Sequence, residues 1–369
     1  MVKRSKIILL MAIVLIIFAG CGYSYEETEE PENPTEAPPP EVEVQIPSEL
    51  PFAIFPPPRE SGIVEVYAFG LSSADAILIT TENYVVMIDT GENQHGRYIA
   101  DRLFDKKIFH IDYMIITHFD RDHVGGARDI IRFSEVRNII VPNYHKESRA
   151  MERFRTTKQN AGIEAYVLTE TKTLVLDDTE FIIYPPQQEF ISFGYIDPPI
   201  EVCLANSNHP PKRGDCDTSG EERINWCRNS NEISDEDGED QPRENDFSIV
   251  VSVAHGENNF LFTGDAMAVR LEEILEIDEI VNTDFDLLKL PHHGRRNRMT
   301  SDFLNTISPR YAISTCCRTR PTDERVIEIL ENIGTEIFFT KNGGVHARSD
   351  GNSLYLELIP RTPNGFYSP

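Results

Sequence analysis

Positive charge is scarce in this sequence: 35 Lys and Arg stand against 61 Asp and Glu over 369 residues, a formal net charge of −26. That balance excludes a wholesale basic coat for nucleic acid. Long apolar runs are scarce as well. The run Ile7 to Phe18 has twelve residues, too few to span a bilayer comfortably. Cysteine is sparse, at six residues, and no internal repeat occurs at solenoid spacing. Nothing in the sequence singles out a protein partner.

What is present is enough for a core, with 40% of residues apolar. Much of the acidity is local: residues 22–60 hold ten Glu against one Arg, and residues 201–246 hold thirteen acids against five bases. The division that fits is an export signal over 1–21, an acidic Pro-rich linker over 22–60, and one domain over 61–369 with an acidic, Cys-containing insertion at 201–246.

Lys3, Arg4 and Lys6 precede the apolar run, which ends at Phe18-Ala19-Gly20-Cys21. This tetrad resembles a bacterial lipobox, which implies acylation of Cys21 and an extracytoplasmic, lipid-anchored protein. Ten prolines and ten Glu between Gly22 and Glu60 favour an extended tether. Setting Cys21 aside leaves Cys203, Cys216, Cys227, Cys316 and Cys317, an odd number. A disulfide is expected among the first three, which lie in the polar insertion. Cys316 and Cys317 read as two buried small hydrophobes.

From Gly62 onward the pattern is regular. β-rich runs at Ile63 to Phe69, Ala76 to Thr80 and Tyr84 to Ile88 begin a sheet. Helical stretches then alternate with apolar runs as far as Ala161, and the alternation resumes at Phe247 and continues to Ile359. The class is α/β.

Chemistry collects where these runs stop. Asp89 follows Val85 to Ile88; His118, Asp120, Asp122 and His123 follow Tyr113 to Ile116; Asp265 follows Phe260 to Thr263; His292 and His293 follow Leu287 to Leu290. The C-terminal ends of strands are where open α/β sheets build sites. The string Thr117 to Gly126 packs two imidazoles and two carboxylates into six residues. Such groups repel or desolvate one another unless cations sit among them. The alternation at 118, 120 and 122 sends ligands toward two ions. Gly125 and Gly126 let the following helix approach that loop closely.

The string His118-Phe119-Asp120-Arg121-Asp122-His123 resembles the HxDxDH version of the metallo-β-lactamase fold. Together with Asp75 to Ile79, Ile88 to Gly91, Asn245 to Val250, Phe262 to Asp265 and Leu288 to Gly294, it is similar to the C-terminal metallohydrolase domain of the competence protein ComEC. The resemblance implies an αββα sandwich and two divalent metal ions, Zn or Mn, since aspartate at position 120 makes the first position harder. His118 and Asp120 would serve the first ion, with His145, His209 and His255 as candidates for its third ligand. Asp122, His123 and either His292 or His293 would serve the second, and Asp265 would bridge. Asp89 would orient a ligand. A bridging hydroxide would be the nucleophile.

Two segments depart from the family pattern. Gly294 is followed by Arg295, Arg296, Asn297 and Arg298, and the family's Gly-His-Pro segment is replaced by Cys316 to Pro321. Arg318 and Arg320 are therefore candidates to stabilise phosphate charge, and Arg295, Arg296 and Arg298 to bind substrate. The function that fits is a phosphodiesterase or nuclease acting on an anionic substrate such as DNA or nucleotides. The alternatives are another metallo-esterase or lactonase, and a metal-binding lipoprotein without turnover. Asp120 argues against an antibiotic-hydrolysing enzyme.

Overall fold

Alternation along single strands determines the architecture. In the strand Ile77–Thr80, Ile77 and Ile79 enter one apolar cluster while Leu78 enters another. In Val85–Ile88, Val86 and Ile88 face the first cluster and Val85 and Met87 the second. Successive side chains point to opposite faces, so a strand apolar at every position must be covered on both sides. The protein, described by a computed structural model over residues 59–187, 192–193 and 243–360, is layered accordingly. The described residues all belong to one unit, Ile54–Pro369.

Two sheets carry the layers. The first has eight strands in the order Leu354–Pro360, Gly343–Ser349, Val64–Ala68, Ile77–Thr80, Val85–Ile88, His110–Ile115, Glu135–Pro142 and Ala165–Leu168. The second has seven: Glu336–Phe339, Tyr311–Ser314, Leu287–Lys289, Asn258–Phe262, Val250–His255, Thr179–Tyr184 and Lys172–Leu176. Their facing sides share one core in which Ile79, Ile88 and Ile115 meet Phe181, Val253 and Phe262.

Parallel neighbours need crossovers, and helices supply them. Val85–Ile88, His110–Ile115, Glu135–Pro142 and Ala165–Leu168 pair in parallel, with helices Gly96–Asp105, Ala127–Phe133 and Arg149–Asn160 between them. Those helices cover the outer face of the first sheet: Ile99, Leu103, Ile130 and Phe154 pack with Met87, Met114 and Ile139. Ala268–Leu275, Thr300–Ile307 and Glu324–Asn332 cover the second, through Leu271, Ile274, Phe303, Leu304 and Leu330. The result is an αββα sandwich.

The strands Lys172–Leu176 and Thr179–Tyr184 and the edge strand Ala165–Leu168 complete the sheets in a stretch where the sequence pattern showed no strand. The expected signal, the linker as far as residue 58, Cys203, Cys216, Cys227 and all of the insertion before residue 243 lie outside the described residues. Among the described residues no helix is long and apolar enough to cross a membrane.

Candidate metal centre

Strand ends and glycines bring the site together. Asp89 leaves the strand Val85–Ile88 with φ of 60°, and His292 and His293 leave Leu287–Lys289 with φ of 45° and 57°. These are left-handed conformations that non-glycine residues rarely adopt, and here they accompany the turn of His293 into the centre and of Asp89 behind His123. Gly126 lies so close to the loop after Asp89 that a Cβ there would stand 2.1 Å from the Thr90 carbonyl oxygen.

Three imidazole Nε2 atoms, those of His118, His123 and His293, are buried at this point without a hydrogen bond. Their rings are buried and held from behind. Nδ1 of His123 lies 2.8 Å from Asp89 Oδ2, and the Asp89 carboxylate also accepts from the Thr117 N–H at 2.8 Å and the Thr117 hydroxyl at 2.7 Å. Nδ1 of His293 lies 3.0 Å from the Thr315 hydroxyl and 3.3 Å from Asp75 Oδ1. Carboxylates behind imidazoles fix ring orientation and raise ligand basicity.

Buried polar atoms without partners are costly, and the donor set suggests what would satisfy them. Asp265 Oδ2 lies 3.2 Å from Nε2 of both His123 and His293, and Asp122 Oδ2 lies 3.6 Å from His293 Nε2. A tetrahedral ion with bonds of about 2.0–2.2 Å separates its donors by about 3.3–3.6 Å. These separations match, and Asp122, His123 and His293 form one group of mutually close donors, so the three together with Asp265 suit a divalent ion. His118 Nε2 converges with His123 and Asp265 in an overlapping group, and it stands 3.6 Å from Asp120 Oδ2.

A buried cation sets the charge balance. Lys289 Nζ donates to the Gly264 carbonyl at 2.7 Å, contacts Asp75, and lies 3.3 Å from Asp265 Oδ1. It thereby occupies one oxygen of Asp265 and leaves the other to the histidines. Burial alone would raise the Asp265 pKa, but the charges of His293, His123 and Lys289 outweigh it and hold the carboxyl well below its ordinary range. Lys289 is buried, so its charge serves the centre and not an anion-binding surface.

Of the paired histidines, His293 closes the donor group. His292 stands aside, with Nδ1 3.0 Å from the Met267 sulfur and Nε2 4.0 Å from Asp265 Oδ2; burial lowers its pKa to about 4. Among the third-ligand candidates, His145 pairs with Glu147 at 2.7 Å, His255 bonds Ser349 at 2.8 Å, and His209 lies outside the described residues. Asp75 had received no role from the sequence and Lys289 none within the centre; for Asp75, a carboxylate directly preceding the run Ala76 to Thr80 was the available signal.

The centre forms the floor of a cavity of about 820 Å³ whose wall includes Arg149, Arg153, Arg295 and Arg320. Arg298 turns away to make a bidentate pair with Glu272. Arg296 and Arg318 are exposed and do not line the cavity. Cys316 is buried and Cys317 half-buried. Burial raises the Cys317 pKa, but hydrogen bonds from Thr319, Ser73 and Ser72 outweigh this and bring the thiol to about 6.

Residues 69–197 match the model of the metallo-beta-lactamase superfamily. ComE operon protein 3 of Bacillus subtilis is 19% identical over 310 residues, which cover 79% of this chain and 33% of that protein. The chain thus spans about a third of that relative's length. Among solved structures, the metallo-beta-lactamase fold protein YhfI from Bacillus subtilis has a TM-score of 0.41 at 9% identity, covering 80% of this chain and 100% of its own. Tm1679, a metal-dependent hydrolase of the beta-lactamase superfamily, has a TM-score of 0.42 at 12% identity, covering 75% and 95%.

Proposed function

We propose that this chain, a metallo-β-lactamase-fold hydrolase that resembles ComEC, is a phosphodiesterase or nuclease that works outside the cytoplasm, anchored through a lipid on Cys21, with two divalent ions, Zn or Mn. The observation that supports the substrate class is the meeting of a carboxylate–imidazole floor with a cationic wall. Arg149, Arg295 and Arg320 line the cavity and have no acidic partner among the described residues. In a chain of net charge −26, cations set around a metal-binding floor suit a phosphate-bearing substrate, whose oxygens guanidinium holds bidentately.

The ions would be held by Asp122, His123, Asp265 and His293 on one side and by His118, Asp120 and Asp265 on the other. When bound, they supply Lewis acidity and a water of lowered pKa. The chain's own residues do the rest. Asp89 and Asp75 fix the rings of His123 and His293, Lys289 fixes Asp265, and Arg295 and Arg320 draw the phosphodiester over the floor. The fully protonated arginines bind and orient but do not donate the leaving group's proton.

Turnover by the full-length protein, stripped and reloaded with Mn²⁺ or Zn²⁺, tests the reading against DNA, a chromogenic aryl phosphodiester, a lactone and a carboxylic ester. Metal-dependent cleavage of DNA or the phosphodiester is expected. Turnover of the lactone or carboxylic ester alone would replace this reading with the alternative esterase class. The anchor is tested by mass spectrometry of the membrane fraction, where a diacylated Cys21 is expected as N-terminus.

A further inference from the structure

The two halves of the floor are built unequally. On the His293 side Asp122, His123 and His293 converge, Asp265 Oδ2 lies 3.2 Å from both imidazoles, and Lys289 pairs with Asp75 behind them. On the His118 side the structure supplies His118 Nε2, buried and without a hydrogen bond, and Asp120 Oδ2 at 3.6 Å from it. Neither described third-ligand candidate is a donor there: His145 is paired with Glu147, and His255 is bonded to Ser349.

In place of a third ligand stands an ammonium. Lys146, at the end of the short strand His145–Lys146, donates to Asp120 Oδ1 and, at 2.6 Å, to Glu244 Oε2. Glu244 is held in turn by the Tyr144 hydroxyl at 2.9 Å, and Tyr144 receives the Phe119 N–H at 2.5 Å. The chain from Phe119 through Tyr144 and Glu244 to Lys146 thus returns to the residue beside its start. It fixes a positive charge on the carboxylate that an ion on the His118 side would need.

We propose that the centre takes up its two divalent cations stepwise and unequally, with Lys146 competing for Asp120. The position of Asp122, His123, Asp265 and His293 fills first. The position of His118 and Asp120 fills weakly, because a second cation must share Asp120 with an ammonium already held on its other oxygen and must lie beside that charge. This rests on the metal-dependent hydrolase reading and goes beyond it by making Lys146 a positioning residue that sets ion occupancy.

The test is an equilibrium titration of the metal-stripped full-length protein with Co²⁺, followed calorimetrically and by the visible spectrum of the bound ion. The wild type should bind one ion tightly and a second at least about tenfold more weakly. Lys146→Met should tighten the second ion by about tenfold and move the first by less than about threefold, whereas Lys146→Arg, which keeps the charge, should keep the gap. Two ions of equal affinity in the wild type would overturn the proposal, and so would a second ion that Lys146→Met leaves unchanged. If Lys146→Met does not fold, Glu244→Gln decides the matter. With its other partner neutral, the ammonium should settle on Asp120 and weaken the second ion further, and a second ion tightened by Glu244→Gln would overturn the proposal. Absence of any bound ion would instead sink the hydrolase reading; a phosphodiester left uncleaved by a normally loaded protein would count against the substrate class and not against Lys146.

Discussion

Asp75 and Asp89 stand behind two different histidines of the centre, yet their removal should have unlike consequences. Asp89 touches His123 and Thr117, all of it hydrogen bonding that an amide partly replaces. Asp89→Asn should therefore leave the metal-free fold nearly intact while lowering metal affinity by about 10–100-fold, as outer carboxylates of metal-bound histidines do. Asp75 also neutralises the buried Lys289. Asp75→Asn leaves that ammonium with the Gly264 carbonyl and, as carboxylate, Asp265 at 3.3 Å, and removing one partner of a buried pair costs about 3–5 kcal/mol. Thermal unfolding of the metal-free variants should separate the two, with the Asp75 variant melting well below the Asp89 variant; equal melting points would mean that Lys289 does not depend on Asp75. Far from the centre, the Glu65 hydrogen bond, with help from Glu357, raises the His346 pKa. A raised imidazole pKa gives stability that is complete below the unfolded value of about 6.5 and is lost as pH rises through the folded value. Glu357 is exposed and Glu65 half-buried, so solvent screens both and the loss should be only about 0.5 kcal/mol. Denaturant titrations at pH 6 and pH 9 should show that loss in the wild type and its absence in His346→Gln.

At the scale of elements, backbone contact between the helix Ala127–Phe133 and the loop after Asp89 holds the site's geometry. A Cβ at Gly126 would meet the Thr90 carbonyl oxygen at 2.1 Å and the Gly96 Cα at 3.1 Å, so both neighbours are backbone and neither can rotate away. Gly126→Ala should cost about 1–3 kcal/mol, the usual penalty for overpacking. It should also weaken metal binding, because Thr90 lies next to Asp89; an unchanged denaturation midpoint would show that the loop can yield. The need for close approach here was readable from the sequence, as were most strands and helices, because the continuous apolar runs of Ile77–Thr80 and Val85–Ile88 and the spaced apolar face of Gly96–Asp105 are local signals. The strands at 165–184 were not readable. Ala165–Leu168 exposes Tyr166 and Val167, and Lys172–Leu176 exposes Val175, so at the sheet edges apolar identity and burial part company. The site divided in the same way. The donors clustered at strand ends could be read, whereas Lys146, Tyr144 and Glu244 meet Asp120 and Phe119 through contacts between distant segments that no spacing encodes.

At the scale of the whole molecule, a chain of net charge −26 should repel a polyanion, yet its candidate centre carries Arg295 and Arg320 on the cavity wall. Screening reconciles the two. At physiological salt the potential decays over about 8 Å, so a substrate that reaches the cavity responds chiefly to the nearest charges. The two effects carry opposite salt signatures. Long-range repulsion weakens as salt is added, whereas contacts between arginines and phosphates release counterions and weaken with it. For DNA the contact effect should dominate, with KM rising with salt in the wild type. Arg295→Ala combined with Arg320→Ala should raise KM at low salt and reduce its dependence on salt, while kcat on a small phosphodiester changes little, because neither side chain belongs to the donor cluster. Arg298→Ala serves as control, since that guanidinium is committed to Glu272 and its loss should leave KM for DNA where it was. A lactone carries no phosphate for these arginines to hold, so any lactone turnover should be indifferent to all three substitutions. An equal loss on DNA and on a neutral ester would mean that the arginines support the fold of the cavity wall and take no part in recognising charge.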